Sequence, residues 1–234
     1  MPDDTPVAVV TGASRGLGAA FAQVLAQQGY ALALGARNQS DLEQVAQSLP
    51  GKVSTYFLNV SDPASVQSFQ NEVMQKFGRV DVLVNNAGIG LFKRLEDFEP
   101  DEFDQLFAVN VKGTWLVTKA FLPALKESVG LVIMVSSDVS TRVFPTGGPY
   151  TATKFALRSL TRTLQQENPE LRMMELRPGA TATYFAGATP GAESKEGHLQ
   201  VESVAEAVRL AITLPATVRL EELVIRSTSQ KPDY

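Results

Sequence analysis

The sequence predicts a doubly wound α/β fold, in which one parallel sheet carries helices on both faces. Three observations support that expectation. Short β-branched or apolar runs alternate with longer segments of helical period, the order is βαβα throughout, and a glycine-rich turn joins the first strand to the first helix. The 234 residues suit one compact domain, expected to span 1–234, with enough chain to bury a substantial core.

The first strand is expected at Val7–Thr11, where five residues of VAVVT precede the glycines, and the first helix at Leu17–Gln28. A second apolar run, Ala31–Gly35, leads to a helix over Asp41–Ser48, with Ser40 as its start signal. The third strand, Val53–Leu58, is followed by Ser61-Asp62 and a proline at the first helical position of Pro63–Phe77. Val82–Asn85 reads as the fourth strand, and the helical period over Asp101–Lys126 predicts one long helix. Leu131–Ser136, Pro149–Asn168, Arg172–Leu176, Val201–Leu214 and Leu223–Arg226 complete the alternation. Right-handed crossovers fold these units into a single Rossmann domain with a seven-stranded parallel sheet. Only Ala180–Gln200 lacks a clear period, and its length and content of Gly, Ala, Thr and Pro suggest a substrate loop.

Composition excludes several classes of function. No apolar run approaches the roughly 18 residues of a membrane span, and the acidic start Met1-Pro2-Asp3-Asp4 does not match a signal peptide. A soluble, cytoplasmic protein with no membrane partner is expected. The absence of cysteine removes disulfides and thiolate metal sites, and a single histidine, His198, makes a histidine zinc site implausible, so no metal is expected. A net charge of −4 with a pI near 5.2 argues against nucleic acid, which needs a concentrated basic surface.

The turn after the first strand reads Thr11-Gly12-Ala13-Ser14-Arg15-Gly16-Leu17-Gly18. Small residues there let backbone N–H groups approach a pyrophosphate, the helix N-terminus favours its negative charge, and the last glycine permits close helix–strand packing. Gly12, Ser14, Arg15, Gly16, Leu17 and Gly18 are therefore expected cofactor contacts. At the end of the second strand stands Gly35-Ala36-Arg37-Asn38, with no acid to receive ribose hydroxyls. A guanidinium there can bind a ribose phosphate through parallel hydrogen bonds, so Arg37 and Arg15 point to NADP(H).

Further along come Asn85-Asn86-Ala87-Gly88, Asn110, Ser136-Ser137, Tyr150-Thr151-Ala152-Thr153-Lys154 and Pro178-Gly179-Ala180-Thr181-Ala182-Thr183. In that order, at those strand ends, the chain resembles the short-chain dehydrogenase/reductase family over nearly its whole length. The resemblance implies a catalytic group of Asn110, Ser137, Tyr150 and Lys154, with Asn110 holding a water in a proton relay. It implies cofactor contacts at Asn86, Ala87, Gly88, Tyr150, Lys154, Pro178, Gly179, Thr181 and Thr183, the last at the nicotinamide carboxamide. It also implies cofactor contacts at Asn59 and Val60, with one departure: the family often has an acid where Asn59 stands to accept from the adenine amino group, a bond that the Asn59 amide carbonyl can still accept. The residue chemistry agrees with this assignment. Tyr150 and Lys154 lie one helical turn apart, and a phenol that normally ionises near pH 10 needs a neighbouring ammonium to act as a base near neutrality.

The expected reaction is hydride transfer between nicotinamide and a carbonyl or alcohol, with a small ketone or aldehyde as the preferred substrate. Ser137 and Tyr150 are expected to meet the reacting oxygen, within a pocket formed by Ile89, Phe92, Val143, Phe144, Tyr184 and Phe185. A 3-oxoacyl thioester reductase and a cofactor-sensing module without turnover are the alternatives. The family resemblance also implies a homo-oligomer, a dimer or tetramer, joined through the fourth and fifth helices or the C-terminal edge.

Overall fold

The computed structural model describes residues 4–187 and 197–230. Seven strands form one sheet in the order β3-β2-β1-β4-β5-β6-β7, and every neighbouring pair is parallel. The strands are β1 (Val7–Thr11), β2 (Ala31–Ala36), β3 (Val53–Phe57), β4 (Val82–Asn85), β5 (Leu131–Val135), β6 (Arg172–Pro178) and β7 (Glu222–Ile225). The helices are α1 (Gly16–Gln27), α2 (Gln39–Ser48), α3 (Pro63–Phe77), α4 (Pro100–Phe107), α5 (Thr114–Ser128), α6 (Gly148–Glu167) and α7 (Val201–Thr213).

Strand alternation divides the core into two layers. Ala8 and Val10 of β1 face Phe21 and Leu25 of α1 and Val204 and Val208 of α7. Val9 faces the other way, toward Phe69 of α3 and Phe121 of α5. Phe69 stands edge-on to both Tyr56 and Phe121, with ring centroids 5.5 and 5.6 Å apart. Each such fully buried ring contributes about 1.5–3 kcal/mol by leaving water. The order of the strands reverses direction between β1 and β4, which opens a crevice at the carboxyl ends of the central strands.

Three local features differ from the sequence expectation. Helix α2 begins two residues before Asp41, because Asn38 rather than Ser40 caps it and accepts the Asp41 N–H at 3.2 Å. Strand β6 continues to Pro178, held there by pairing with β7. The long helix expected over Asp101–Lys126 is interrupted, since a π-helical segment, Ala108–Gly113, separates α4 from α5. Gly113 fits there because a methyl group on it would lie 2.8 Å from the Val60 side chain. The expected loop over Ala180–Gln200 is described at its two ends, where Thr181 bridges to Leu199, and its centre lies outside the described residues.

Candidate active site

The crevice becomes a cleft of about 1380 Å³ running from the end of β2 to the start of α6. Its floor is fixed by two interlocked turns. Thr11 Oγ1 accepts the N–H groups of Asn86 and Ala87, each at 3.0 Å, while Asn86 Nδ2 donates to the carbonyls of Thr11 and Gly12 at 3.0 and 3.1 Å. Gly12 sits at φ +66°, and a methyl group there would stand 2.9 Å from the Ala87 Cα. At Gly18 it would stand 2.2 Å from the Gly12 carbonyl oxygen, so the first turn of α1 can lie against β1 only without a side chain. Gly12, Ser14, Arg15, Gly16 and Leu17 line the cleft, whereas Gly18 lies behind it as a packing residue.

At the other end α6 carries Tyr150 and Lys154, both buried, on one face of the helix. Lys154 Nζ lies 5.6 Å from the centre of the Tyr150 ring and donates to the Val135 carbonyl at 3.2 Å. Burial lowers the Lys154 ammonium to about 8, and the charge of Glu175 opposes that shift. Burial also holds the Tyr150 phenol well above the ordinary phenol range. A hydrogen bond with Ser137 opposes this, and the charge of Asp138 reinforces it. Ser137, at the end of β5, accepts the Val139 N–H on its hydroxyl at 3.3 Å.

Asn110 does not line the cleft, but it fixes the wall that does. Its side chain donates to the Ile89 carbonyl at 2.9 Å, accepts the Ile89 N–H at 2.8 Å and donates to Thr153 Oγ1 at 3.1 Å. One amide thus ties the loop after β4 to α6. The π-helical turn presents this side chain, and its main-chain carbonyl accepts Thr114 Oγ1 at 3.0 Å.

Arg15 and Arg37 lie at the far end, together with Asn59, Val60 and an acid, Asp41. Asn59 Oδ1 is already used, accepting the Ser61 hydroxyl at 2.8 Å and the Ser61 N–H at 3.3 Å. Over the top, three consecutive residues span the cleft. A methyl group on Gly16 would meet Thr183 at 3.5 Å, the Arg15 guanidinium lies 5.3 Å from the Tyr184 ring centre, and Phe185 packs 5.5 Å from the Tyr150 ring. Ile89, Phe92 and Phe144 join them around Tyr150, as do Pro178, Gly179 and Thr181 below. Val143 does not, because it is 74% exposed and points away. Asn38, Asp41 and Ser136 were not among the expected site residues, nor were the polar lining residues Asp138, Arg142, His198 and Gln230, which come from three separate segments. An acid directly after the serine, Ser137-Asp138, was the one signal available for them.

A doubly wound sheet with a glycine turn at its switch point, and a buried tyrosine–lysine pair beside a serine, defines a dinucleotide-binding α/β oxidoreductase site. Residues 6–193 match a sequence profile of the short chain dehydrogenases, and the chain belongs to that family. An uncharacterized oxidoreductase of Staphylococcus epidermidis is 34% identical over 223 residues, covering 94% of this chain and 96% of the relative. An alcohol dehydrogenase from the archaeon Thermococcus sibiricus, solved with 5-hydroxy-NADP, is 49% identical with a TM-score of 0.95, covering 99% of this chain and 100% of that one. A metagenomic short-chain oxidoreductase solved with NADP is 30% identical with a TM-score of 0.83, covering 96% and 98%. Among the described residues no helix is long and apolar enough to cross a membrane.

Proposed function

We propose that the protein is an NADP(H)-dependent reductase of small ketones or aldehydes that also oxidises the corresponding alcohols. The observation that carries this reading is the convergence of Tyr150, Lys154 and Ser137 at one end of a cleft whose other end offers two arginines. A nicotinamide dinucleotide suits the residues present. Ser14, Arg15, Gly16 and Leu17 at the start of α1 line the cleft where a pyrophosphate would meet the helix N-terminus, and Arg15 and Arg37 provide the donors that a ribose phosphate needs. Asp41 works against that phosphate, but two cations outnumber it. Two solved relatives, the alcohol dehydrogenase and the metagenomic oxidoreductase, carry NADP or its analogue. Because Asn59 Oδ1 is taken by Ser61, its amide N–H groups are what remain for adenine.

A nicotinamide cofactor held by these residues would supply the hydride for carbonyl reduction, or accept it in alcohol oxidation. The remaining steps belong to the chain. Buried and protonated, Tyr150 donates its phenolic proton to the carbonyl oxygen, Ser137 orients that oxygen, and Lys154 stabilises the charge left on the phenolate. Asn110 acts through position, tying Ile89 of the cleft wall to Thr153, the neighbour of Lys154 on α6. The apolar part of the pocket, Phe92, Phe144, Tyr184 and Phe185, supports a modest carbonyl compound as substrate. We place the protein in the cytoplasm as a homo-oligomer, for which the half-exposed Phe103, Trp115 and Phe155 on α4, α5 and α6 supply apolar contact. Light scattering at working concentration should give a mass above 25.2 kDa.

The test of function is a panel of ketones and aldehydes, each followed by loss of NADPH and of NADH. The reading predicts turnover with NADPH exceeding that with NADH. Tight NADPH binding without oxidation by any member would assign a cofactor-sensing module instead.

A further inference from the structure

Beyond the end of β6, residues 181–185 cross the cleft as a strap that is anchored at both ends. At its base, the Ala182 N–H donates to the Leu199 carbonyl and the Leu199 N–H to the Ala180 carbonyl, both at 2.9 Å, while Thr181 Oγ1 donates to the Gly179 carbonyl at 2.9 Å. At its tip, the Phe185 N–H donates to Thr183 Oγ1 at 3.2 Å, which closes a short turn around Tyr184. Both neighbours of Tyr184 are seated on glycines. A methyl group on Gly16 would touch the Thr183 side chain at 3.5 Å, and one on Gly90 would overlap the Phe185 ring. Thr183 therefore lies on the glycine turn, and Phe185 lies on the loop after β4 and against Tyr150.

Between these fixed points the Tyr184 ring meets the Arg15 guanidinium, whose carbon lies 5.3 Å from the ring centre. The tyrosine is 43% exposed, so its own burial accounts for little of this placement. Among the described residues the Arg15 guanidinium makes no hydrogen bond or ion pair, although Asp41 lines the same end of the cleft. An arginine is long and rotamer-rich, and fixing it on a ligand costs entropy. An aromatic face within about 6 Å attracts the cation and limits that freedom before the ligand arrives. A ring engages the face of the planar guanidinium, so the in-plane N–H donors that grip a phosphate in parallel stay available.

We propose that Tyr184 is a specificity-determining residue for the cofactor: its ring holds the Arg15 guanidinium in place for the ribose phosphate of NADP(H), from the same strap that lays Phe185 against Tyr150. This role presupposes the cofactor reading, in which Arg15 meets that phosphate. NAD(H) has no such phosphate and gains nothing from the ring. Arg37, across the cleft at the end of β2, has no aromatic ring over it among the described residues, so the two arginines differ in how far they are held in advance.

The test is calorimetric titration of the full chain with NADPH and with NADH, read as the ratio of the Kd for NADH to that for NADPH. Tyr184→Leu keeps apolar bulk and removes the aromatic face, whereas Tyr184→Phe keeps the ring. Tyr184→Leu should lower the ratio about two- to fivefold, the range expected of one cation–π contact at a partly exposed site, and Tyr184→Phe should hold it near the wild-type value. Against an Arg15→Ala background Tyr184→Leu should change the ratio no further, and against Arg37→Ala its effect should persist. A wild-type ratio in Tyr184→Leu, an equal fall in Tyr184→Phe, or a fall of the same size with and without Arg15 would overturn the role of Tyr184. If Arg15→Ala by itself leaves the ratio unchanged, the reading of Arg15 as a phosphate ligand fails, and the role of Tyr184 fails with it.

Discussion

Glu175 offers a quantitative test of how the site keeps its lysine charged. It is 2% exposed on β6, accepts the Ser140 hydroxyl at 2.9 Å and pairs with Arg158 at 2.6 Å. Its negative charge supports the Lys154 ammonium, which burial has lowered to about 8. With that value, Lys154 is about 90% protonated at pH 7 and about half protonated at pH 8. Glu175→Gln keeps the shape and removes the charge. A loss of roughly one pKa unit, about 1.4 kcal/mol, would leave Lys154 about half protonated at pH 7 and about a tenth at pH 8. The predicted fall in kcat/KM for NADPH-dependent reduction is therefore about twofold at pH 7 and about fivefold at pH 8. Breaking the pair with Arg158 also destabilises the fold, although Arg158 retains Glu222 at 2.8 Å. The shape of the pH profile is independent of how much protein is active, so the basic limb is the quantity to read. A Glu175→Gln profile that drops uniformly, with its basic limb where the wild type has it, would refute the reasoning.

Three further outcomes follow from the same structure. Ala36→Asp, at the carboxyl end of β2, places an acid at the ribose-phosphate end of the cleft, and the ratio of kcat/KM for NADPH over NADH should fall by tenfold or more, as measured by steady-state kinetics. Gly18→Ala would set a methyl 2.2 Å from a backbone oxygen that cannot move without opening the first turn of α1, and calorimetry should show a loss of roughly 2–4 kcal/mol with weakened cofactor binding. Lys154→Met should raise stability at neutral pH. The folded chain binds this proton less tightly than the unfolded one, so the stability associated with Lys154 is full above about pH 10.5, declines as pH falls toward about 8 and stays low below that. Denaturant melts at pH 7 and pH 10 should show the gain at pH 7 and less of it at pH 10.

Local patterns made most of the fold readable in advance. The β1 run VAVVT, the glycines after it and the proline at the start of α3 each declare their structure within a few residues, and Tyr150 and Lys154 share a helix face by spacing alone. The features that were not readable depend on contacts between distant segments. Nothing in Ala108–Gly113 distinguishes a π-helical turn from an ordinary one until Val60 packs against Gly113 and Asn110 reaches Ile89. The Asp138 cluster joins residues as far apart as Gln230, so no window along the chain contains it. Val143 has the composition of a pocket residue, and only the path of the loop after β5 turns it outward.

The central claim is that the Tyr150 phenol exchanges the proton during hydride transfer. Tyr150→Phe keeps the ring that packs against Phe92 and Phe185 and removes only the hydroxyl. Single-turnover reduction of a carbonyl substrate by bound NADPH, with NADPH affinity measured in parallel, is the direct test. The account predicts affinity close to wild type and hydride transfer slowed by at least about 10². Hydride transfer at the wild-type rate would contradict it.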